Sequence, residues 1–377
     1  MKICFILEYY WPHIGGGETL FKNLIEGLVK EGHRCIVITS HLPQTSYYEV
    51  TNGVEVYRIK VPTWGERYWF TFLSFKLALQ LSRKCDLLHT MTYNGMFSTA
   101  CLAKLWRKPA VVTVLEVLND LWKTSSGMNW LNTWLHILGE RLFFKLPFNK
   151  YLCISQYTKK CLEKIGINRN KICVIYPGVD EIFLKQNNGE GKKELIKESL
   201  GLKNKYIYMY FGRPGVFKGI EYLLAAVPLV SREIPEAKLL LILADSPKDR
   251  FTKIKELIVK LNIQQDIILL PPQPIVDLIK YIYACETVVV PSLSEGFGLT
   301  CVEACSIGKP VVATNVGSIP EVISGKYLLI PPHDPQAIAE GIKKIYQGNY
   351  NKTPLKIFNW EKSIKQHLRV YEDLRVV

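Results

Sequence analysis

Residues 287–303 read TVVVPSLSEGFGLTCVE, and this stretch holds the unit from which we expect the whole chain to be built. Thr287–Val290 is a short apolar run, which is typical of a buried parallel strand. A loop containing Gly296 and Gly298 follows, and the pattern then becomes helical. A strand, a loop and a helix in this order predict one unit of an α/β sheet.

The same alternation continues along the chain. We expect helices at Thr19–Lys30, from Pro335 onward with Asp334 as the N-cap, and at Trp360–Leu374. The pattern therefore predicts an α/β fold with doubly wound parallel sheets. The other predicted strands are Ile3–Leu7, Cys35–Thr39, Val54–Ile59, Leu87–His89, Ala110–Val114, Tyr151–Ile154, Ile172–Ile175, Tyr206–Phe211, Leu239–Leu243, Ile267–Leu270, Val311–Ala313 and Tyr327–Ile330.

The length of 377 residues suits two domains of ordinary size. The polar stretch KQNNGEGKK at 185–193 falls near the middle and is typical of a linker. We expect an N-terminal domain at 1–184, a linker region at 185–204, a C-terminal domain at 205–350 and a last segment at 351–377. The two domains are expected to face each other across a cleft.

Composition limits the class of protein. With 48% hydrophobic and 22% charged residues, the chain has the composition of a soluble globular protein, and its net charge of +14 favours anionic partners without choosing among them.

Ten cysteines, mostly in apolar runs, do not predict a disulfide scaffold, and Cys301 and Cys305 lack the neighbours of a zinc site. We predict no metal and no cofactor. With no signal peptide and no run of about 18–20 apolar residues, we expect a cytoplasmic protein.

The segment FGRPGVFKG at 211–219 lies where a predicted strand ends. Ligands bind at the carboxyl ends of parallel strands in open α/β sheets. Arg213 can bind a diphosphate through two parallel hydrogen bonds, and Lys218 adds a point charge. Both would stabilise negative charge on a departing nucleotide. The alternative is a surface loop with two solvated cations.

Glu295 and Glu303 are the most specific pair in the chain. They are separated by seven residues, so one lies in the loop and the other about two turns into the helix. Gly296 and Gly298 leave the intervening N–H groups open to a phosphate or a sugar. Carboxylates accept hydrogen bonds from sugar and ribose hydroxyls. The alternative places Glu295 beside a helix N-cap and Glu303 on the surface.

Three glycines, Gly15, Gly16 and Gly17, follow the first predicted strand. Glycine permits a close approach of the backbone to a ligand, and the helix that follows favours an anion at its start. The dinucleotide pattern of three spaced glycines is not present. A tight structural turn explains this segment equally well.

Together these segments resemble the retaining glycosyltransferases of family 4, which have the GT-B fold. Glu295 and Glu303 match the E-x7-E motif of that family, and Arg213 and Lys218 match its G-R-x5-K-G phosphate clamp at close to the usual spacing. The resemblance extends from Lys2 to Tyr371. It includes the further segments VIYPGVD at 174–180, TNVGSIPEV at 314–322 and FNWE at 358–361.

The resemblance implies transfer of a sugar from a nucleotide diphosphate sugar to an acceptor hydroxyl, with retention of configuration and without a metal. Arg213 and Lys218 would hold the diphosphate, and Glu303 would hold the ribose. Glu295 would bind the sugar hydroxyls, as would the backbone of the donor-binding residues Gly296, Phe297, Gly298 and Leu299. Gly16 and Gly17 would also contact the donor. The last helix would cross back to the N-terminal domain.

One departure from the family concerns the histidine that many members carry after the strand matching Val111–Val114. Leu115 occupies that place here, and the neighbouring Glu116 is expected to point to the opposite face. In a retaining front-face mechanism the leaving phosphate can take the acceptor proton instead. His89, at the end of a predicted strand, is a second catalytic candidate; the alternative is a histidine that is merely hydrogen-bonded.

Two stretches, 64–84 and 122–150, mix aromatic residues with Lys and Arg. An aromatic core with solvated charges, an interfacial helix on an anionic membrane and a platform for single-stranded nucleic acid all use these residue types. The family resemblance implies a glycan or lipid-linked acceptor. This favours peripheral contact with the inner face of a membrane over nucleic-acid binding, while an aromatic core with solvated charges stays open as the alternative.

Two other functions stay open at this point. The first is a nucleotide-sugar enzyme of the same fold with another reaction, such as an epimerase or a phosphorylase. No lysine lies in a recognisable pyridoxal-phosphate setting, which disfavours the phosphorylase. A non-enzymatic basic module would bind a membrane or nucleic acid. That last alternative leaves the spacing of Glu295 and Glu303 unexplained.

Overall fold

The computed structural model describes residues 1–62, 66–119, 121–122, 129–184 and 190–375. Two compact units divide the chain, and each has its own sheet. The first unit contains Met1–Gly178 together with Phe358–Val377, and the second contains Val179–Ile357. None of the described helices is long and apolar enough to cross a membrane.

Fifteen strands are formed by the described residues, and most match the predicted apolar runs to within two residues. The first unit contains β1 (Lys2–Ile6), β2 (Arg34–Ser40), β3 (Tyr48–Thr51), β4 (Val54–Ile59), β5 (Leu87–Met91), β6 (Ala110–Val114), β7 (Lys150–Cys153) and β8 (Ile172–Val174). The second contains β9 (Tyr206–Gly212), β10 (Ala237–Leu243), β11 (Ile267–Leu270), β12 (Thr287–Val290), β13 (Val311–Thr314), β14 (Lys326–Ile330) and β15 (Asn351–Lys352).

The α-helices of the described residues alternate with these strands. They are α1 (Gly16–Lys30), α2 (Glu66–Ser82), α3 (Met96–Trp106), α4 (Trp130–Phe144), α5 (Gln156–Lys164), α6 (Glu181–Leu184), α7 (Glu190–Ser199), α8 (Ile220–Glu233), α9 (Lys248–Lys260), α10 (Ile275–Ala284), α11 (Leu299–Ser306), α12 (Ile319–Val322), α13 (Pro335–Tyr346) and α14 (Trp360–Arg375). Asp334 caps α13 as predicted, because its carboxylate accepts a hydrogen bond from the backbone N–H of Ala337.

Both sheets have the doubly wound order that the alternation predicts. The first runs β3-β4-β2-β1-β5-β6-β7-β8 and the second β11-β10-β9-β12-β13-β14-β15. All neighbours are parallel except β3 with β4 and β14 with β15. Every residue of β5, β6 and β12 is buried, as expected for parallel strands that are covered on both faces. The expected α/β class of two Rossmann-like sheets is therefore confirmed.

The two antiparallel edge strands, β3 and β15, are absent from the predicted set. Asn52 and Gly53 join β3 to β4, and both have left-handed backbone, with φ of 52° and 79°. An Asn-Gly pair between two strands is the usual sequence of such a tight hairpin. The sequence therefore carried a signal for β3 in its residues Thr51–Val54.

Helix α14 belongs to the first unit, which confirms the prediction that the last helix returns to the N-terminal domain. It packs on α1 at Gly27, where an added Cβ would lie 2.1 Å from Cδ1 of Ile364. A side chain at position 27 would therefore require the side chain of Ile364 to move.

The predicted linker region, 185–204, includes α7. Residues 185–189 lie outside the described residues, whereas α7 packs on α10. The buried Lys197 of α7 donates from its Nζ to Glu286 Oε1 at 2.5 Å and to the carbonyl oxygen of Lys205 at 2.8 Å. This part of the region is therefore an ordered helix of the second unit.

Candidate functional site

The strand order of the second unit places two loops side by side. The chain moves from β9 outward to β10 and β11 and then returns to the other side of β9 as β12. At such a reversal, the loops after the two neighbouring strands leave a crevice at the carboxyl end of the sheet. Here these loops are 213–219, after β9, and 291–298, after β12.

Lys218 and Glu295, one from each loop, are in direct contact. The Nζ atom of Lys218 lies 2.7 Å from Oε1 of Glu295, and Ser292 Oγ donates to the same oxygen at 2.8 Å. Glu295 is buried, whereas the lysine side chain is 35% exposed. The carboxylate therefore holds a cation that can still reach a ligand.

Close backbone packing fixes the two loops against each other. Gly219 has a φ of 64°, and an added Cβ would lie 2.0 Å from the carbonyl oxygen of Pro291. The N–H of Leu293 donates to the carbonyl oxygen of Phe217 at 2.7 Å. Glycine is required at 219 both for its left-handed backbone and for this approach.

A third loop, after β13, contacts the backbone of Glu295. The N–H and the hydroxyl of Ser318 both donate to the carbonyl oxygen of Glu295, at 3.1 and 3.2 Å. Gly317 has a φ of 55°, and an added Cβ would lie 2.2 Å from that same oxygen. Thr314 Oγ1 donates to the carbonyl oxygen of Ser292 at 2.5 Å. This segment, 314–322, is part of the family resemblance, which implies no role for its individual residues.

The segment after Glu295 leads directly into α11. Phe297 is buried and anchors the turn, while Gly298 adopts left-handed backbone, with φ of 84°, as the N-cap. Glycine brings no capping side chain, so the N–H groups of the first turn, which begins at Leu299, have no side-chain cap. A helix start of this kind favours an anion.

Glu303 lies on α11, as the spacing predicted. Its surface is partly exposed, yet surrounding protein atoms desolvate the carboxyl group and raise its pKa to about 7. The charge of Asp180, just before α6, raises the pKa further. A carboxyl group of this pKa changes charge near neutrality.

Arg213 is exposed at the end of β9. Its carbonyl oxygen accepts hydrogen bonds from Tyr210 Oη at 3.3 Å and from the N–H of Gly215 at 2.9 Å, which fix the backbone. No hydrogen bond or ion pair joins the guanidinium to another described side chain. The group is therefore available to an anion.

The glycine segment lies in the first unit, at the carboxyl end of β1. Gly15 is the N-cap of α1 with extended backbone, and Gly16 and Gly17 form the first residues of the helix. An added Cβ on Gly17 would lie 2.8 Å from Cδ1 of Leu115. The residue that replaces the family histidine therefore packs over this glycine segment.

His89 lies in the core of the first unit, with no exposed surface. Its Nε2 lies 2.8 Å from Thr113 Oγ1 and its Nδ1 2.7 Å from Tyr371 Oη, so both ring nitrogens are engaged. Burial, and then the charge of His367, lowers its pKa well below the usual value. This geometry favours the alternative of a hydrogen-bonded strand histidine, and we leave His89 out of the proposed catalytic set.

Two family models match consecutive parts of the chain. The model described as Glycosyltransferase Family 4 matches residues 14–182, and the model described as Glycosyl transferases group 1 matches residues 192–359. Together they span nearly all of both units, including the glycine segment and all three loops described above.

Several known proteins are similar over much of their length. An uncharacterized glycosyltransferase of Methanocaldococcus jannaschii is 27% identical over 99% of this chain and 98% of its own. A D-inositol 3-phosphate glycosyltransferase of Corynebacterium urealyticum is 28% identical over 55% of this chain and 52% of its own. The crystal structure of Anabaena HepE in complex with UDP and glucose has a TM-score of 0.73 at 20% identity, covering 99% of this chain and 100% of that one.

Proposed function

Because the chain belongs to the glycosyltransferases of the family 4 type, we propose that it transfers a sugar from a nucleotide diphosphate sugar to an acceptor hydroxyl. We further propose that the second unit binds the donor, that the first binds the acceptor, and that the reaction retains the anomeric configuration without a metal ion. The observation that carries the proposal is the contact of Lys218 with Glu295 where the order of the strands reverses.

In this proposal Lys218 and Arg213 bind the diphosphate. Negative charge grows on its outer phosphate as the glycosidic bond breaks, and fixed cations stabilise that charge more strongly than they stabilise the bound donor. Glu295 and Ser292 hold Lys218 in place before the donor arrives. Such preorganisation reduces the rearrangement that the reaction would otherwise require.

The two glutamates bind the hydroxyl groups of the sugar and of the ribose. Glu295, with the backbone of Gly296, Phe297 and Leu299, binds the hydroxyls of the transferred sugar. Glu303 accepts hydrogen bonds from the ribose hydroxyls. Hydrogen bonds from the ribose hydroxyls stabilise the ionised carboxylate. Protonation of Glu303 should therefore weaken binding of the nucleotide sugar.

The raised pKa of Glu303 gives the first testable prediction. Its ionised fraction should rise from about one tenth at pH 6 to about nine tenths at pH 8, so wild-type affinity for a nucleotide sugar should increase nearly tenfold over that range. Glu303→Gln should abolish the pH dependence and weaken binding at pH 8 by about 1.5–3 kcal/mol. Calorimetric titration with an intact nucleotide sugar measures both, because its diphosphate does not titrate between these pH values.

Glu340→Gln, on the exposed face of α13, is the matched control and should bind as the wild type does. Unchanged affinity in Glu303→Gln at pH 8 would remove Glu303 from the donor site, and a flat pH profile in the wild type would contradict a pKa of about 7 for its carboxyl group.

The aromatic residues of the first unit divide between core and surface. Phe70 and Phe144 are buried, whereas Trp130 and Trp134 are 78% and 54% exposed, and Trp64 lies outside the described residues. In α4 an exposed apolar row continues along one face. Its members, four residues apart, are Trp130, Trp134, Leu138 and Leu142.

The inner face of α4 carries a carboxylate beside the buried Ile137 and Phe144. Glu140 is buried, and it accepts hydrogen bonds from the N–H groups of Leu118 and Asn119 at 2.8 and 2.6 Å and from Tyr93 Oη at 2.6 Å. This helix therefore buries a charge that has hydrogen-bond partners and exposes its tryptophans. Exposed apolar rows of this kind mark interaction surfaces.

We propose that α4 and α2 rest on an anionic membrane surface at its cytoplasmic face. The exposed Arg141 and Lys145 lie beside the apolar row of α4, and α2 exposes Tyr68 and Phe72. Aromatic and basic residues together suit the interface between lipid headgroups and acyl chains. A lipid-linked sugar presented by that membrane is the acceptor class that this surface favours over a soluble glycan.

Sedimentation with vesicles tests the membrane contact. Cations contribute about 1 kcal/mol each near an anionic surface. At 1 M salt the Debye length falls to about 3 Å, so this attraction is screened. Binding through inserted aromatic side chains is not screened by salt. Wild type should therefore pellet with anionic vesicles at low salt and partly at high salt. The Trp130→Ser/Trp134→Ser variant should lose the salt-resistant fraction.

The control variant Tyr47→Ser/Tyr48→Ser removes two exposed aromatics from the other edge of the same unit. It should pellet as the wild type does. If the wild type did not pellet with anionic vesicles at low salt, the membrane contact would be rejected. If the tryptophan variant pelleted as the wild type does, α4 would not be part of that contact.

A further inference from the structure

A histidine and a glutamate form a close pair beside the glycine segment of the first unit. His13 Nδ1 lies 2.9 Å from Oε1 of Glu18, in the first turn of α1. Glu18 is buried, whereas the His13 side chain is 29% exposed. A buried carboxylate therefore faces one nitrogen of an imidazole that solvent can reach.

The surrounding loop fixes the imidazole in place. The Tyr9 ring stacks on it, with ring centroids 4.4 Å apart. The N–H of His13 donates to the carbonyl oxygen of Tyr10 at 3.0 Å. The buried Arg58 donates to the carbonyl oxygen of Trp11, also at 3.0 Å. Contacts on the ring and on the backbone therefore restrict the movement of His13.

The position of the pair matches that of a ligand site. In the first sheet the order of the strands reverses between β1 and β5, and His13 lies in the loop that follows β1. Ligands bind at this place in doubly wound sheets. Gly17, the neighbour of Glu18, lies under Leu115 at the end of β6, so the pair belongs to the same carboxyl edge of the sheet.

The charge of Glu18 decides which nitrogen of His13 can act. A carboxylate beside Nδ1 favours the tautomer with its proton on Nδ1, which leaves the lone pair on Nε2. Within the described part of the chain, the ring makes no hydrogen bond other than the one to Glu18. Nε2 is then a base whose orientation comes from a buried carboxylate.

We propose that His13, oriented by Glu18, binds the acceptor hydroxyl and takes its proton, an assignment that rests on the proposed sugar transfer. As the acceptor oxygen bonds to the anomeric carbon of the sugar, its proton passes to Nε2. The bond from that carbon to the diphosphate breaks, and the nucleoside diphosphate leaves with the electron pair. The residue after β6, where many family members carry a histidine, is the apolar Leu115 in this chain. His13 supplies an imidazole from a different loop.

The test uses the full chain and an intact nucleotide sugar, with water as the acceptor and nucleoside diphosphate release as the signal. His13→Ala should lower kcat by about 10²-fold or more, the usual contribution of a general base. Donor affinity should stay unchanged, and added imidazole should restore part of the lost turnover. Glu18→Gln should show a smaller loss, because the imidazole remains but loses its charged partner.

His41→Ala is the matched control, because His41 also stacks on a tyrosine, Tyr47, at 4.3 Å but bonds to the carbonyl oxygen of Thr45 instead of to a carboxylate. It should keep wild-type turnover. Normal kcat in His13→Ala, or a loss that imidazole does not restore, would overturn the assignment while leaving the transferase activity intact. A wild type that releases no nucleoside diphosphate from any nucleotide sugar would overturn the proposed function itself.

Discussion

Replacing Lys218 with methionine is expected to lower turnover about 10²–10³-fold, which is the usual cost of losing one group that stabilises charge in the transition state. Methionine keeps most of the length of the side chain and removes the cation that contacts Glu295 at 2.7 Å. Donor affinity should fall much less than kcat, because the charge on the outer phosphate grows as the glycosidic bond breaks. Steady-state kinetics with a nucleotide sugar, together with a binding titration, separate the two effects.

Lys343→Met is a close control for this variant. Lys343 also makes a 2.7 Å ion pair in the second unit, with Glu233, and its side chain is 33% exposed, compared with 35% for Lys218. The control should keep normal turnover. Equal kcat in Lys218→Met and in the wild type would place the diphosphate clamp elsewhere.

Gly219→Ala should destabilise the second unit strongly. A Cβ there would lie 2.0 Å from the carbonyl oxygen of Pro291, on a backbone whose φ is 64°. We expect a loss of roughly 2–5 kcal/mol in the free energy of unfolding, about 1–2 from the left-handed backbone and about 1–3 from the displaced loops. For a domain of this size that corresponds to a decrease of roughly 4–20 °C in Tm.

Gly201→Ala separates the two causes. Gly201 has a φ of 68°, close to that of Gly219, but an added Cβ would meet no atom within 4 Å. This variant should lose only the conformational part, about 1–2 kcal/mol. Thermal unfolding of both proteins measures the difference. Equal Tm values for the two variants would contradict the proposed packing of the loops.

Much of the fold could be predicted from the sequence. A short apolar run that is followed by a loop containing glycine has few possible structures other than a buried strand. Thr287–Glu303 forms the strand, loop and helix that its pattern predicts. The contact between Lys218 and Glu295 could not be predicted from spacing, because 77 residues separate them. Only the return of the chain from β11 to β12, beside β9, brings their loops together.

Other features depend on partners that are distant in the chain. A histidine at a strand end is compatible with a catalytic or a structural role, and for His89 the decisive neighbour is Tyr371, 282 residues later. In α4, apolar residues occur on all sides, so periodicity could not tell which face is buried. The inner face includes Glu140, whose hydrogen-bond partners come from the loop after β6 and from Tyr93.

The same limit applies to the pair of His13 and Glu18. Both residues flank the glycine segment, yet their spacing of five residues is not a motif from which a contact could be predicted. The loop after β1 turns His13 back toward the first turn of α1 and so produces the 2.9 Å contact.

Release of nucleoside diphosphate from a panel of nucleotide sugars, with the released sugar followed by NMR, tests the central claim most directly. We predict release from at least one nucleotide sugar by the wild type, with the newly freed sugar in the anomeric configuration of the donor, and near-complete loss of release in Lys218→Met. No release from any member of the panel, or conversion of a nucleotide sugar to its epimer without release, would contradict the account.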